Sequence, residues 1–432
     1  MKIKLLNRRK IYSLALPAMV ENILQMAMGF VDNYLVAQFS LAAVSGISLA
    51  NNIITVYQAL FIALASAISS LVARSIGQGQ AKKQVKFMAD AIVLTVLVSL
   101  LVGLVSFFFG EKMLYGLGAS KAVAEKGTAY LMIVGGAIIS LGLMTSLSAI
   151  VRAQGRAKIP MQVSVLINVV NAILSASSVY VFGFGVAGVA WSTVISRLFG
   201  IVLLSRELPM KEIFSQITWS LDEEMFTLSL PAAGERLMMR LGDVLIVSII
   251  VHFGTRTLAG NAIGETISQF NYMPAMAIST ATVILVANSV GEKDFSNLKM
   301  LVRDSFIMST MIMIFVSLAI YLLGPAIIGL FTGDQVASQA AMIVLLFSLL
   351  GAPTTAGTLV YTALWQGLGN ASLPFYTTCI GMWLIRIVMG YILGIVLNLG
   401  LSGVWIATLL DNLVRWMILR IIFRRYEKVT ID

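Results

Sequence analysis

Long apolar runs follow one another along the entire chain, and no other feature limits the fold so strongly. A mostly apolar run of about 18 residues or more is long enough to cross a bilayer as a helix. Backbone polar groups in lipid must be satisfied within the segment, so helices are the economical solution. Alternation with period two is not sustained over any long stretch, which argues against a barrel. Composition agrees: of 432 residues, 59% are hydrophobic and only 12% are charged. Soluble domains run at about 25% charged residues. Between Tyr12 and Arg74 the only charged residues are Glu21 and Asp32.

Twelve spans are expected. In the first half they cover 11–37, 47–73, 88–110, 127–151, 160–182 and 186–205. In the second half they cover 225–253, 261–289, 304–324, 337–365, 374–397 and 401–422. With the N-terminus in the cytoplasm, the inner segments hold 21 Lys and Arg and the outer loops hold 4: Lys112, Lys121, Lys126 and Arg256. This bias places both termini inside and requires an even number of spans. It also accounts for the net charge of +10, so nucleic acid is not expected as a partner. The first apolar run is too long for a signal peptide and lacks a small-residue cleavage site. Cys379 is the single cysteine, so no internal disulfide or cysteine metal framework can form. His252, the single histidine, is read as an interfacial residue at the end of a span. No GxxxxGKS loop is present, so primary pumping is not expected, and the chain is not expected to be an enzyme.

The chain repeats itself at an offset of 214 residues. Leu14, Leu16, Pro17, Ala18 and Glu21 fall on Leu228, Leu230, Pro231, Ala232 and Glu235. LVARSIG (71–77) falls on LVANSVG (285–291), and Gly155, Ala157 and Pro160 fall on Gly369, Ala371 and Pro374. One residue out of step, Gly185, Gly188 and Thr193 meet Gly400, Gly403 and Thr408. Membrane composition alone would align Leu and Ala, not Pro, Glu and Gly at one offset. Six spans per half make both halves enter from the same side, related by a pseudo-two-fold axis along the membrane normal. The expected organisation is an N-lobe at 1–205, a charged amphipathic cytoplasmic linker at 206–224 and a C-lobe at 225–432.

Several segments together are similar to the multidrug and toxic compound extrusion (MATE) family. They are Pro17 followed by MGFVD, LVARSIGQGQ after the second span, GRAKIP before the fifth, GVAGVAWSTVISR in the sixth, and LPAAGERLMMRLGD in the seventh. The resemblance covers nearly the whole chain. It implies an all-α membrane protein with twelve transmembrane helices in two six-helix lobes around a V-shaped central cleft. It further implies a bacterial plasma-membrane antiporter, working without a cofactor, that exports amphiphilic, often cationic compounds as protons or sodium ions enter. In the family the aspartate of the first-span motif couples to the cation, and here that position is Asp32.

The residues themselves suggest where such chemistry would sit. Glu21, Gln25, Met28 and Asp32 share one meridian of a helix, a stripe too polar for lipid. Asp32 reads either as a proton or sodium site or as a hydrated end of the span; Glu21 reads either as functional or as an interhelical pair. Asn168 and Asn171 lie one turn apart, Ser175 follows one turn later, and Thr193 is on the next span. They would solvate a cation or simply bond between helices. One branch of the family has an aspartate where this chain has Ser175, which weakens a two-aspartate relay. In the second half, Glu235, Arg236, Arg240, Asp243 and Glu265 form either a self-neutralising network or a second coupling or substrate site. The sodium-coupled branch also places an acid on the tenth span, where this chain has Thr354 and Thr355. Asp411 and Arg415 read as an ion pair, and Arg386 as the partner of one of the nearby acids. Met26, Met28, Tyr34 and Tyr57 are the cavity candidates nearest Asp32, because methionine adapts to differing shapes and aromatic faces attract cations. Pro17, Pro231, Pro274 and Pro353 permit kinks that serve either as hinges or as static bends.

The functional expectation is an exporter of small amphiphilic cations, monomeric in the lipid bilayer. A lipid-linked precursor flippase would want a basic cavity, for which Arg236, Arg240 and Arg386 are available. A major facilitator transporter also has parallel six-span halves, but its loop after the second span usually carries an acid, and ARSIGQGQAKKQVK has none.

Overall fold

A computed structural model describes residues 2–37, 41–218 and 220–430. Among them every regular element is helical. α1 (Lys2–Ala37), α2 (Leu41–Gly77) and α3 (Ala81–Gly116) are single rods. α4 (Lys121–Tyr130), a π-helical turn at Leu131–Gly135 and α5 (Ile139–Ala153) form one bent rod. α6 (Lys158–Tyr180), α7 (Gly185–Ser205) and the short α8 (Met210–Ser215) follow. The second half runs through α9 (Glu223–Val251), α10 (Thr255–Gly291) and α11 (Leu298–Gly329). A second bent pair comprises α12 (Gln335–Leu350) and α13 (Ala352–Gly367). α14 (Ser372–Cys379), π segments at Ile380–Ile387 and Ile392–Val396, and the intervening α15 (Val388–Tyr391) make the next rod, and α16 (Gly400–Thr430) ends the chain. These are twelve helical passes, each overlapping an expected span.

Among the described residues, seven helices are individually long and apolar enough to cross a membrane, and the two bent pairs raise the number to nine. α9 falls outside because Glu235, Arg236, Arg240 and Asp243 crowd its middle. The bends occur at matching places in the repeat. Lys121–Gly135 meets Ile139–Ala153 at 43°, and Gln335–Leu350 meets Ala352–Gly367 at 57°. In the second case Pro353 removes a backbone donor just past Gly351, so the first helix cannot continue through it. In the first, the π-helical turn leads into the pair Gly135 and Gly136, where the backbone is permissive.

The chain divides into two compact units, Val20–Ser229 and Met1–Met19 with Leu230–Asp432. Within the first, α2 packs on α3, α4 and α5, and α6 pairs with α7. Within the second, α10 packs on α11, α12 and α13, and α16 lies along α13 and the π segments. The stretch 206–224 belongs to the first unit, where Arg156 bonds Glu207 at 3.0 Å and Lys86 bonds the Ser220 carbonyl at 3.1 Å. α3 and α11 are among the least covered rods: only 28% and 22% of their apolar windows are buried. They expose Phe107, Phe108 and Phe109 in one unit and Met311, Phe315 and Leu322 in the other, surface suited to lipid rather than water.

One close approach is built twice. A Cβ on Gly46 in α2 would stand 2.6 Å from the Val123 carbonyl oxygen and 2.7 Å from the Gly127 nitrogen in α4. At the same place in the repeat, a Cβ on Gly260 would strike the Ala337 carbonyl oxygen in α12. Small residues let membrane helices meet backbone to backbone. Gly46→Ala is therefore expected to cost about 1–3 kcal/mol through overpacking, read as an earlier unfolding transition in detergent.

Candidate functional site

The backbone of α1 is helical through position 32. The side chains of Asp32 and Tyr34 lie outside the described residues. Met26 and Met28 are half-buried on the same helix. Tyr57 is buried in α2, its hydroxyl accepting from Ser106 in α3 at 2.9 Å, which makes it part of the helix packing.

On α6 and α7 the polar residues form a buried group. Asn171 is 1% exposed and donates from Nδ2 to Thr193 Oγ1 at 3.3 Å. Thr193 in turn donates to the Val189 carbonyl at 3.1 Å. Ser175 is fully buried one turn beyond Asn171. Asn168 turns back on its own helix, donating to the Ser164 carbonyl at 2.7 Å. Thus Asn171 and Thr193 meet, and Asn168 does not join them. The Asn171 carbonyl oxygen is buried with no hydrogen-bond partner among the described residues. A buried acceptor left unmatched is costly and suits a donor or a cation.

The duplicated glutamates have unlike surroundings. Glu21, 4% exposed, receives Arg152 Nη1 at 2.6 Å from the last turn of α5. At the repeat offset Arg152 falls on Gln366. Accordingly, Glu235, also 4% exposed, receives Gln366 Nε2 at 3.4 Å and Thr378 Oγ1 at 3.3 Å. One twin sits in a tight ion pair and the other on long bonds from neutral groups. Arg152→Met strands the Glu21 carboxylate, and losing one partner of a buried pair costs about 3–5 kcal/mol. Adding Glu21→Gln to Arg152→Met should restore most of that loss in a denaturation experiment.

Arg415, Asp411, Arg386, Asp243 and Arg240 form a chain from the interior of the second unit to its surface. Arg415 grips Asp411 through Nε at 2.8 Å and Nη2 at 3.0 Å. Arg386, carried on the π segment Ile380–Ile387, reaches Asp411 Oδ2 at 3.0 Å and Asp243 Oδ1 at 3.4 Å. Arg240 closes the other side of Asp243 at 3.6 Å. Asp411 is fully buried, whereas the Arg240 and Asp243 side chains are 46% and 45% exposed. Thr378 connects this chain to Glu235, since Arg415 Nη1 lies 3.4 Å from its hydroxyl. Glu265 is exposed on α10 and bonded to Asn261, whose carbonyl accepts from Trp405 at 3.0 Å. Arg236 is half-buried on α9. Among the described residues, no three His, Cys, Asp or Glu side chains converge as metal ligands.

Sequence reasoning did not single out Asp90, Asp304 or Arg152. Asp90 and Asp304 are both buried and stand one repeat apart, so the offset itself carried the signal. The repeat also gives Asp32 a counterpart, Ile246, which lies in an apolar cluster with Ile249, Ile250 and Val344. The second unit thus has no acid at that position.

Twelve helical passes, outward apolar surfaces and charges paired inside the helix packing define a multi-pass membrane protein. The family model described as MatE matches residues 17–177 and 231–392, one stretch in each half. The chain belongs to the MatE family of membrane transporters. It is 28% identical to a "Probable multidrug resistance protein NorM" of Thermotoga maritima, over 94% of this chain and 90% of that one. It is 26% identical to an "Uncharacterized transporter YisQ" of Bacillus subtilis, over 96% and 93%. Among solved structures it is similar to an "Outward-facing conformation of a multidrug resistance MATE family transporter of the MOP superfamily". That likeness has a TM-score of 0.91 and 20% identity over 99% of this chain and 97% of that one. A "Crystal structure of MATE in the bent conformation" matches with a TM-score of 0.90 and 20% identity over the full length of both. At this identity the structures establish the fold.

Proposed function

We propose that the protein is a secondary antiporter of a bacterial plasma membrane, with both termini in the cytoplasm. It exports amphiphilic, cationic organic compounds by alternating access as protons or sodium ions enter, and it acts as a monomer. Family membership over both halves carries this reading, together with full-length relatives named multidrug resistance proteins. Asp32 is the coupling carboxylate. Its support is the scarcity of acids in the first two spans and the cost of placing any carboxylate there without a purpose. The unmatched Asn171 carbonyl beside Thr193 supplies an oxygen of the kind that a sodium ion, or a protonated carboxyl, would seek.

Exchange requires the coupling ion and the passenger to favour different conformations. A ligand shifts such an equilibrium only through unequal affinity for the two states. Reconstitution in proteoliposomes, with proton and sodium gradients imposed separately, tests the proposal. Export of a cationic dye should follow one gradient and cease when it is collapsed. Movement of a labelled lipid-linked sugar without any effect on dye would instead identify a flippase.

A further inference from the structure

The division between the two compact units falls inside two helices: in α1 between Met19 and Val20, and in α9 between Ser229 and Leu230. The start of each helix is therefore grouped with one unit and its continuation with the other. In both units a buried acid stands near the chain that leads into such a helix. Asp90 in α3 faces the residues ahead of α9, and Asp304 in α11 faces the opening turns of α1.

The two attachments differ in strength. Asp90 receives Lys86 Nζ at 2.8 Å and the Asp222 backbone N–H at 3.1 Å. Lys86 also bonds Thr218 and the Ser220 carbonyl. Just beyond, Glu224 takes Lys83 at 2.7 Å and Arg74 at 3.5 Å. Asp304 has no such set. The repeat offset puts Met300 where Lys86 stood. Both Asp304 oxygens are buried without a hydrogen bond among the described residues. The cation facing them is Arg8, whose side chain is 42% exposed and whose Nε lies 3.7 Å away.

We infer that the contact between Arg8 and Asp304 is a clasp that opens during the working cycle, while the attachment at Asp90 is a fixed strut. Asp304 is thus a positioning residue: it sets where the first turns of α1 rest. The clasp is a single 3.7 Å contact to an arginine whose side chain is already 42% exposed, so water stands close enough to take its place. On opening, water replaces the guanidinium at the carboxylate. Open and closed arrangements of this kind lie close enough in free energy for a ligand to shift them. The multiply bonded strut has no comparable alternative. The helix with the loose start is also the helix that carries Asp32. The inference rests on the transport reading above.

The test uses a reversible bis-methanethiosulfonate of short reach on the reconstituted full chain. One variant carries Arg8→Cys with Asp304→Cys and the other Lys86→Cys with Ser220→Cys. The native chain, whose one cysteine is Cys379, serves as the reagent control. Bridging positions 8 and 304 should stop dye export, and dithiothreitol should restore it. Bridging 86 and 220 should leave export unchanged. Unaltered export by the 8–304 bridged protein, or equal arrest by both bridges, overturns the clasp. Asn7→Cys gives an independent reading, since Asn7 is 8% exposed. Its labelling by an impermeant maleimide should accelerate several-fold when dye and the driving gradient are both supplied, and an unchanged rate would sink the inference even if the paired variants misfold. Failure of the native chain to export at all would instead remove the transport reading.

Discussion

Asp32→Asn is expected to reduce gradient-driven export to the background of empty vesicles, while dye binding survives. Asparagine keeps the size and hydrogen-bonding capacity of the side chain but cannot bind a proton or neutralise a sodium ion. The expected effect is large because the role proposed for Asp32 is coupling itself. A potential of 100 mV contributes about 2.3 kcal/mol per inward charge, equivalent to roughly a 50-fold concentration ratio. A chain that no longer carries the charge forfeits that ratio. The second unit offers no substitute at the matching position, because Ile246 stands there in an apolar cluster. Asp32→Asn protein that exports at the native rate under both gradients would remove Asp32 from the mechanism.

The largest expected effect on stability is at Asp411. Its carboxylate is fully buried and meets two guanidinium groups, Arg415 at 2.8 and 3.0 Å and Arg386 at 3.0 Å. Gly381 stands against it so closely that a Cβ there would strike Asp411 Oδ1. Asp411→Asn removes the carboxylate that buried Arg415 grips and leaves Arg386 paired with Asp243 alone. Removing one partner of a buried pair costs about 3–5 kcal/mol, and sharing between two arginines places Asp411 at the upper end. Replacing Asp411 and Arg415 together by Leu and Met should cost far less, since no stranded charge remains in the pair. Thermal unfolding of the two variants in the same detergent compares them. Equal loss in both would mean that the packing shape, not the charge, stabilises this region.

Much of the fold could be read from the residues. Runs of apolar sequence broken by Gly, Pro and charge located all twelve passes, because a bilayer fixes the length of a helix that must satisfy its own backbone. The offset of 214 residues gave the duplication, and the structure carries it down to the glycine crossings at Gly46 and Gly260. What stayed hidden depends on contacts between distant helices. Arg152 reads as a charge of the cytoplasmic segment after the fourth span, yet it turns inward to Glu21 at 2.6 Å. Arg386, on a π-helical segment, meets both Asp243 and Asp411, a double contact between separate helices that residue spacing does not reveal. Tyr57, a cavity candidate by its aromatic face, bonds Ser106, a contact that aromatic character alone does not specify. The pairings of Arg415 with Asp411 and of Arg240 with Asp243 were legible, because i+4 and i+3 neighbours share a helix face.

The most direct measurement of the coupling claim reverses the exchange. Proteoliposomes receive a steep gradient of a cationic dye and no gradient of protons or sodium ions. If the two fluxes are obligatorily linked, dye moving down its gradient drives one of these ions uphill in the opposite direction, and Asp32→Asn abolishes that ion movement. Dye crossing at the same rate with no ion displaced would contradict the account at its centre.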